Sequence, residues 1–411
     1  MVKLNKFKIL LITLCFSICS LKCATIGLVT DRYPEEFYKV PKLLSDDKIK
    51  TNSTFIVYSD NQAGWRVKEK FLKKSNWTDP KMFIFPFYEL YLLGNGMIGG
   101  INMLRQAPDY GSQGRRLVRD AIYTEAKNSQ AAFILNLGDI TASDGRRPAH
   151  WKMFLKENKI EHPLLKEIPY LPVVGNHERA NNITFGLSNY QAIFDYPQFY
   201  VVEFTDAVLI VIDSNYLIDQ YGNLSDELQD ELFNKWFVSG VDCKESSWLE
   251  KQLTAYNKTF KIIAMHHPLI SYGKHHKDWS NSSWGKNLQT KRHNLLKLIE
   301  KYDVQLVLSG HDHLYQHIVL QHDSGKETYF LINGSGGTPL RDLTDSKTLR
   351  KYQKAFKENG LQCELINQGK IYQYSTIEIN FEQVLVKVFK VTGKEESSTL
   401  FVEEIRIDKQ K

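Results

Sequence analysis

Cysteine is scarce in this chain of 411 residues, and its few cysteines form no catalytic pattern. Three of the five, Cys15, Cys19 and Cys23, fall within the first 24 residues. The other two, Cys243 and Cys363, can pair in an oxidising compartment. Sequence spacing does not fix the separation of their Cα atoms, so this pairing stays open.

Long apolar runs are also lacking, with one exception near the amino terminus. Residues 9–21 form an apolar run of thirteen residues, which follows three lysines and precedes small residues. A membrane-spanning helix needs about 20 apolar residues, whereas this shorter pattern is typical of a secretory signal peptide. We therefore expect residues 1–24 to be a signal peptide, with an uncleaved anchor as the alternative. The mature chain is then secreted or extracytoplasmic, in the periplasm, extracellular space or endomembrane lumen, and has no transmembrane segment.

The chain has little excess of charge once this leader is set aside. Four lysines and no acidic residue occur in the first 24 residues, so the net charge of +6 falls to about +2 for the rest. No basic run remains that would mark a nucleic-acid footprint. The charge distribution therefore gives no sign of a nucleic-acid partner.

Sequons for asparagine-linked glycosylation are frequent. Seven N-x-[ST] sequons occur, at Asn52, Asn76, Asn182, Asn223, Asn257, Asn281 and Asn333. They are typical of a secreted glycoprotein, although a composition rich in asparagine also generates sequons by chance.

The chain has no internal repeat, but one pattern recurs along it. A short apolar run, rich in valine and isoleucine, is followed each time by a cluster of polar residues. The runs are FIVY, AFILNL, PYLPVV, AVLIVI, FKIIA and VQLVLS. Such runs are typical of strands buried on both faces. Helical periodicity lies between them, at 114–127, 225–237, 246–256 and 291–302. This alternation predicts a layered α/β fold, in which ligands collect at the carboxyl ends of the strands.

The carboxyl-terminal part of the chain shows strands with few helices between them. The patterns lie at 328–332, 373–379, 384–391 and 400–407, and we expect them to complete a second sheet of the same domain. Residues 25–411 are thus predicted to form one domain. It carries an insertion at about 63–113, rich in aromatic residues and glycine, and a polar excursion at about 340–370.

The polar clusters supply ligands suited to metal ions. The candidates are Asp60, Gln62, Asp139, Asn176, His266, His311 and His313. Carboxylate, imidazole and amide oxygen suit Zn, Fe or Mn. On an extended segment His311 and His313 point to the same side, so they can serve two neighbouring ions bridged by Asp139. Two ions about 3.5–4 Å apart clamp the attacking and leaving oxygens of an in-line displacement.

These motifs, read in order, resemble those of the calcineurin-like metallophosphoesterases. Asp-x-Gln, Gly-Asp, Gly-Asn-His-Glu, His-His-Pro and Gly-His-Asp-His occur between about residues 54 and 337. The resemblance implies an α/β fold built as a two-sheet β-sandwich flanked by helices. It implies a first metal held by Asp60, Gln62, Asp139 and His313. It implies a second metal held by Asp139, Asn176, His266 and His311.

Two segments are similar to those of purple acid phosphatases, GDITASD and MHHPLISYGKHH. This likeness implies that His177 contacts the phosphate or the leaving group and that Asp144 orients it. His275 and His276, nine and ten positions after His266, are expected to face the substrate. The intervening His267 is expected to support the site rather than ligate, because its side chain points the other way on an extended segment.

The sequence departs from that family at two positions. Ala142 stands where purple acid phosphatases have the tyrosine whose charge transfer to iron gives their colour, so this protein is not expected to be purple. Gln62 stands where they usually have glycine and where other members of the superfamily have histidine. Its neutral amide oxygen is a weaker ligand than imidazole, so the first metal is expected to be held more loosely or to differ in identity.

The expected function is that of a secreted phosphohydrolase with two metal ions. We expect an acid phosphatase-like phosphomonoesterase, in which a metal-bound hydroxide attacks phosphorus in line and a histidine protonates the leaving group. A phosphodiesterase or a nucleotide hydrolase on the same site is one alternative. A catalytically weak, phosphatase-like binding protein is another, motivated by Ala142 and Gln62. The oligomeric state stays open.

Overall fold

A computed structural model describes most of the chain outside its amino-terminal part. The described residues are 27–41, 53–64, 111–142, 145–179, 183–222, 224–240, 245–256, 258, 260–280 and 284–409. The expected signal peptide, most of the insertion expected at 63–113, Asp144 and Cys243 lie outside them. The same holds for every sequon asparagine except Asn333.

The first sheet has six strands in the order β13-β12-β11-β1-β2-β3. The strands are β1 (Ser53–Tyr58), β2 (Ile134–Asn136), β3 (Tyr170–Pro172), β11 (Tyr372–Ile379), β12 (Gln383–Thr392) and β13 (Ser398–Asp408). β1, β2 and β3 run parallel, with Ile56 opposite Ile134 and Ile134 opposite Tyr170. β11 pairs antiparallel with the other side of β1, and two further antiparallel strands complete the sheet.

The second sheet has seven strands in the order β10-β8-β9-β7-β6-β5-β4. The strands are β4 (Tyr200–Glu203), β5 (Ala207–Val211), β6 (Phe260–Ala264), β7 (Leu306–Ser309), β8 (Tyr315–Gln321), β9 (Glu327–Asn333) and β10 (Gln362–Gly369). β5, β6, β7 and β9 run parallel at its centre. The residues of β5, β6 and β7 are mostly apolar and all buried, as strands covered on both faces require.

Ten α-helices occur within the described residues. They are α1 (Glu35–Tyr38), α2 (Ser112–Asn128), α3 (Pro148–Leu155), α4 (Leu164–Glu167), α5 (Asn176–Arg179), α6 (Ile183–Phe194), α7 (Asp226–Trp236), α8 (Trp248–Ala255), α9 (Leu288–Lys301) and α10 (Ser346–Glu358). A π-helical turn, Lys156–Ile160, continues α3, and short 3₁₀ helices span Ser214–Tyr216 and Lys274–Trp279. The four helices predicted from periodicity correspond to α2, α7, α8 and α9. Ser247 begins α8 with a capping box that it forms with Glu250, which satisfies amide groups left free at a helix start.

The hydrophobic core has three layers, one between the two sheets and one on the outer face of each sheet. Side chains such as Val57 and Leu135 of the first sheet pack against Leu209 and Ile262 of the second. The outer face of the first sheet is covered by α2, α3 and α6. The outer face of the second is covered by α7 to α10. The α-β-β-α sandwich predicted from the sequence is thus confirmed. No helix in the described part of the chain is long and apolar enough to cross a bilayer.

The placement of the carboxyl-terminal strands differs from the expectation. The pattern at 328–332 lies in β9 of the second sheet, but β11, β12 and β13 extend the first sheet. The reason is that β1 pairs with β2 on one side only, so its other side is open to β11, where Phe55 lies opposite Ile377. Apolar alternation reports that a strand has a buried face, but it does not say which sheet the strand joins.

The segment at 340–370, expected as a polar excursion, contains regular structure. It forms α10 and then β10, the edge strand of the second sheet. Leu349, Tyr352 and Phe356 are spaced as one helical face and pack on the outer core. Asp345 caps the helix by accepting from two amides of its first turn. This segment lies beside the loop that carries His275 and His276.

Candidate metal centre

The predicted ligands lie where the parallel strands of each sheet end. Asp60, Asp139 and Asn176 follow β1, β2 and β3, and His266 and His311 follow β6 and β7. All five side chains are buried. Because parallel strands end at the same edge, these polar residues converge on one region between the two sheets.

Asp139 lies at the centre of this region. Its Oδ1 is 3.3 Å from Nε2 of His266 and accepts the backbone amide of His177 at 3.0 Å. Its Oδ2 is 3.1 Å from Nε2 of Gln62 and 3.6 Å from Nε2 of His177. The carboxylate therefore faces both groups of predicted ligands, in the position expected of a bridge.

The second group of ligands is closely gathered. Nε2 of His266 lies 2.9 Å from Oδ1 of Asn176 and 3.1 Å from Nδ1 of His311. Nδ1 of His266 donates to the carbonyl oxygen of Leu137 at 2.8 Å, which leaves Nε2 as the nitrogen that faces Asn176 and His311. Ligand atoms of Asp139, His266 and His311 all lie within 4.8 Å of one another.

The first group contains an unsatisfied carboxylate oxygen. Oδ1 of Asp60 is buried, makes no hydrogen bond within the described part of the chain, and lies 3.5 Å from Nε2 of His313. Its other oxygen accepts the backbone amide of His311 at 2.8 Å. A buried carboxylate oxygen of this kind costs free energy unless a cation or a donor satisfies it. Together with the imidazole nitrogens that face one another, it gives a donor set that fits metal ions.

Gln62 lies in the first group, but its amide nitrogen, not its amide oxygen, faces Asp139 and His313. Its Nε2 lies 3.1 Å from Asp139 and 3.3 Å from Nε2 of His313, while its Oε1 accepts from the hydroxyl of Thr338 at 2.9 Å. Ligation through the amide oxygen, as predicted from the sequence, requires this amide to rotate by half a turn.

Four of these residues adopt left-handed backbone conformations. The φ angles are 57° at Asp60, 47° at Gln62, 54° at Asp139 and 68° at His311. Residues other than glycine rarely adopt this region, and each instance costs of order 1–2 kcal/mol. All four residues lie just beyond the ends of β1, β2 and β7. Gly175 allows a related close approach, since a Cβ there would lie 2.2 Å from the amide nitrogen of Asp139.

Burial and close charges shift the protonation of the cluster. Burial, with the nearby charge of Asp139, raises the pKa of Asp60 to about 8 despite the opposing effect of His266. Burial also acts to raise the pKa of Asp139, but His177 and His266 outweigh it and hold that pKa well below its usual range. For His266, burial acts to lower the pKa because it disfavours the charged ring. The nearby charge of Asp139 outweighs this effect of burial and raises the pKa of His266 to about 9.

Two of the three predicted substrate-facing histidines lie at the cluster. His177 is held by its Nδ1, which lies 3.1 Å from the carbonyl oxygen of Thr141, and its Nε2 faces Asp139. The ring of His275 lies 3.8 Å from the ring of His311. Asp144, expected to orient His177, lies outside the described residues.

His276 does not join the cluster, which corrects the expectation for it. Its ring stacks on Tyr352 of α10 with centroids 3.6 Å apart, and its Nδ1 lies 3.0 Å from the carbonyl oxygen of Ser271. The physical reason is the 3₁₀ helix Lys274–Trp279. With three residues per turn, adjacent side chains in such a helix diverge by about 120°, so His275 and His276 cannot share a target.

Three supporting residues were not predicted from the sequence. Ser214 lies 2.8 Å from Nδ1 of His267, whose ring packs 4.5 Å from His311. Glu178 accepts the backbone amides of Asp139, Thr141 and Gly175, each at 2.9 Å, and so ties two strand-end loops together. Asp278 contacts both His275 and His311. The sequence could have indicated a role for Glu178, because it is the last residue of the Gly-Asn-His-Glu motif. Asp278 belongs to no motif.

Known proteins match this chain over much of its length. A family model described as "Calcineurin-like phosphoesterase" matches residues 109–315, half of the chain. Tartrate-resistant acid phosphatase type 5 of Rattus norvegicus is 23% identical over 282 residues, which cover 64% of this chain and 76% of that protein. Purple acid phosphatase 7 of Arabidopsis thaliana is 25% identical over 269 residues, 62% of this chain and 73% of that protein.

A further relative and a solved structure extend this comparison. A probable glycerophosphodiester phosphodiesterase, GpdQ, of Arcobacter nitrofigilis is 28% identical over 183 residues, 44% of this chain and 56% of that protein. The structure of purple acid phosphatase PPD1 from yellow lupin (Lupinus luteus) seeds superposes with a TM-score of 0.53 at 13% identity, covering 87% of this chain and 54% of that chain. At this identity the superposition supports the fold alone.

Proposed function

Because the chain belongs to the calcineurin-like phosphoesterase family, its reaction class is the metal-dependent hydrolysis of phosphoric esters, and we propose that it is a secreted, acid phosphatase-like phosphomonoesterase with two metal ions. The observation that carries this proposal is the position of Asp139. Its two carboxylate oxygens face two different ligand groups, with His266 on one side and Gln62 on the other.

The ligand sets proposed for the two ions follow the two groups around Asp139. Asp60, Gln62, Asp139 and His313 would hold the first, and Asp139, Asn176, His266 and His311 would hold the second. When bound, two such ions neutralise charge on phosphoryl oxygens and lower the pKa of a coordinated water to near neutrality. The buried and unsatisfied Oδ1 of Asp60 supports a cation at the first set.

The protein's own contribution to leaving-group departure is assigned to His177 and His275. Each ring has one nitrogen fixed by an acceptor, Thr141 for His177 and Asp278 for His275. The other nitrogen of His275, Nε2, is buried without a hydrogen-bond partner in the described structure. A ring held in this way can donate a proton to a leaving alkoxide without losing its orientation. We propose that activity is higher at acid pH, in keeping with the similarity of the chain to acid phosphatases.

Secretion is part of the proposal and rests on the leader pattern of residues 1–24. Glycosylation at Asn333 is not included, because Asn333 is fully buried and accepts from the hydroxyl of Ser375 at 2.8 Å. The cleaved amino terminus and the occupied sequons can be read by mass spectrometry of the protein recovered from the medium of expressing cells. An intact leader on cell-bound protein would contradict this part.

A phosphodiesterase is the second candidate for the same site. The observation that favours it is the 28% identity with the probable glycerophosphodiester phosphodiesterase. The orientation of the Gln62 amide favours the remaining candidate, a catalytically weak binding protein, because the amide oxygen is engaged by Thr338.

One experiment separates these three. Metal content is quantified on purified protein, and turnover is then measured on phosphomonoesters, phosphodiesters and nucleotides at pH 5 and pH 7.5. About two ions per chain with fastest turnover of an aryl phosphomonoester at pH 5 supports the proposal. Faster turnover of diesters supports the second candidate. Metal-loaded protein without turnover on any of these substrates overturns both.

A further inference from the structure

Asp278 lies between two histidines of the candidate centre. Its Oδ2 is 2.8 Å from Nδ1 of His275 and 3.0 Å from Nε2 of His311. The side chain is almost completely buried, as are both rings. One carboxylate oxygen therefore joins a predicted metal ligand to a predicted substrate-facing residue.

The two contacts fix which nitrogen of each ring is available. A carboxylate only accepts hydrogen bonds, so both rings must donate to it. His311 then carries its proton on Nε2 and directs the lone pair of Nδ1 towards His266, at 3.1 Å. His275 likewise donates through Nδ1 and leaves Nε2 without a partner. A carboxylate that accepts from the far nitrogen of a metal-binding histidine fixes its tautomer and raises its basicity as a ligand.

The backbone around Asp278 explains how it reaches both rings. His275 and Asp278 are three residues apart in the 3₁₀ helix Lys274–Trp279, and residues at that spacing lie on one face of such a helix. Trp279 anchors the end of the helix, since its indole nitrogen donates to the carbonyl oxygen of Pro268 at 2.8 Å. The carboxylate is thus held by a short, braced segment rather than by a free loop.

We propose that Asp278 is a positioning residue that presents Nδ1 of His311 to the second metal and Nε2 of His275 to the leaving group. This inference rests on the proposed function, and it deepens that function by naming one carboxylate that couples metal binding to proton delivery. The proposal predicts separate effects of Asp278 on metal affinity and on turnover. Metal affinity depends on Asp278 through His311, and turnover depends on it through His275.

The test uses three variants of the full chain with a matched control. Asp278→Leu removes both hydrogen bonds, whereas Asp278→Asn keeps an oxygen acceptor and removes the charge. His275→Ala removes only the substrate-facing ring. Glu403→Gln is the control, because Glu403 also contacts a buried histidine, His317, at 3.2 Å but lies outside the predicted ligand groups. Zn²⁺ affinity is measured by titration of the metal-free protein, and kcat and KM are measured on 4-nitrophenyl phosphate at saturating metal.

The expected results differ between the variants. Asp278→Leu weakens binding of the second Zn²⁺ by roughly tenfold to a hundredfold, the usual cost of removing such an outer partner, and lowers kcat at saturating metal. Asp278→Asn recovers part of both losses. His275→Ala lowers kcat but leaves Zn²⁺ affinity unchanged, and Glu403→Gln changes neither.

Two outcomes would overturn the inference, and a third concerns the function itself. If folded Asp278→Leu or Asp278→Asn binds the second Zn²⁺ as tightly as the wild type and keeps its kcat, Asp278 has no positioning role. If Glu403→Gln matches the losses of Asp278→Leu, the effect is one of general stability. A wild-type protein that binds no metal and turns over no phosphate ester contradicts the proposed function instead, which keeps the two failures distinguishable.

Discussion

The amide oxygen of Asn176 lies 2.9 Å from Nε2 of His266, although 90 residues separate them in the chain. Asn176 follows β3 of the first sheet and His266 follows β6 of the second. The candidate centre is therefore a junction between the two sheets. Its geometry depends on how the sheets pack, and packing defects at a distance are expected to reach it.

Substitution of His266 tests this junction most directly. His266→Ala removes one proposed ligand of the second ion and a ring whose Nε2 lies 3.3 Å from Asp139 and lowers the pKa of that carboxyl. We expect the affinity for the second metal and kcat each to fall at least about a hundredfold, since loss of a ligand costs more than loss of an outer partner. Metal titration and steady-state kinetics measure both. His317→Ala, another buried histidine paired with a carboxylate, should leave them unchanged; full activity of His266→Ala would refute the ligand assignment.

His275 and His276 are adjacent but are expected to respond differently. His275→Ala should lower kcat by about a hundredfold, as loss of a proton donor does, with little change in thermal stability. His276→Ala should keep kcat within about twofold and lower the free energy of unfolding by about 1 kcal/mol, because it loses the stack on Tyr352. Kinetics on an aryl phosphate and thermal melts of both variants check this. Equal losses of kcat would show that both rings serve the substrate.

The metal-free protein should lose stability as the pH rises. Asp60 has a pKa of about 8 in the folded chain and an ordinary pKa of 3.8, because burial disfavours its charged form. Its stabilising contribution is complete below about pH 4 and is lost as the pH rises through about 8. Asp60→Asn removes this dependence while leaving the other titrating groups in place. Thermal melts of chelator-treated protein between pH 5 and pH 8.5 should show a steeper decline for the wild type than for the variant, and identical slopes would disprove the assignment.

Gln62 is expected to limit the affinity of the protein for the first metal ion. Gln62→His replaces an amide by imidazole, a stronger ligand, and should tighten binding of the first ion by about tenfold. Gln62→Ala should weaken that binding and also release the hydroxyl of Thr338. The comparison is made by Zn²⁺ titration, with binding of the second ion as an internal reference. If both variants bind the first Zn²⁺ ion with unchanged affinity, Gln62 does not belong to the ligand set.

The iron-loaded protein should lack the visible band that a tyrosine ligand produces. Ala142, fully buried, occupies the position that corresponds to this tyrosine in the purple acid phosphatases that the sequence resembles. The measurement is a visible absorption spectrum after loading with iron. A strong charge-transfer band would require a tyrosine ligand from elsewhere in the chain.

The sequence indicated which polar residues come together more fully than it indicated which sheet each strand joins. Asp60, Asp139, Asn176, His266 and His311 were recoverable because each follows an apolar run, and parallel strands place their carboxyl ends together. The family model confirms the predicted family, and the two packed sheets confirm the predicted sandwich.

Other features depend on information that the pattern of apolar residues does not contain. Whether β11 joins β1 or β9 depends on which strand edge is free, which periodicity cannot report. The divergence of His275 from His276 depends on a 3₁₀ turn of six residues, too short to show a period. Asp278 is recognisable only once that turn brings it to two rings.

The left-handed residues at the centre have a consequence for how much of the protein stays folded. Asp60, Gln62, Asp139 and His311 each occupy a conformation that costs of order 1–2 kcal/mol, so together they take up a large part of the stability that a domain usually has. Metal binding to the folded state offsets that cost in proportion to the logarithm of the free metal concentration. The abundance of this protein is therefore expected to follow metal supply, falling by degradation when metal is scarce even if its synthesis is constant.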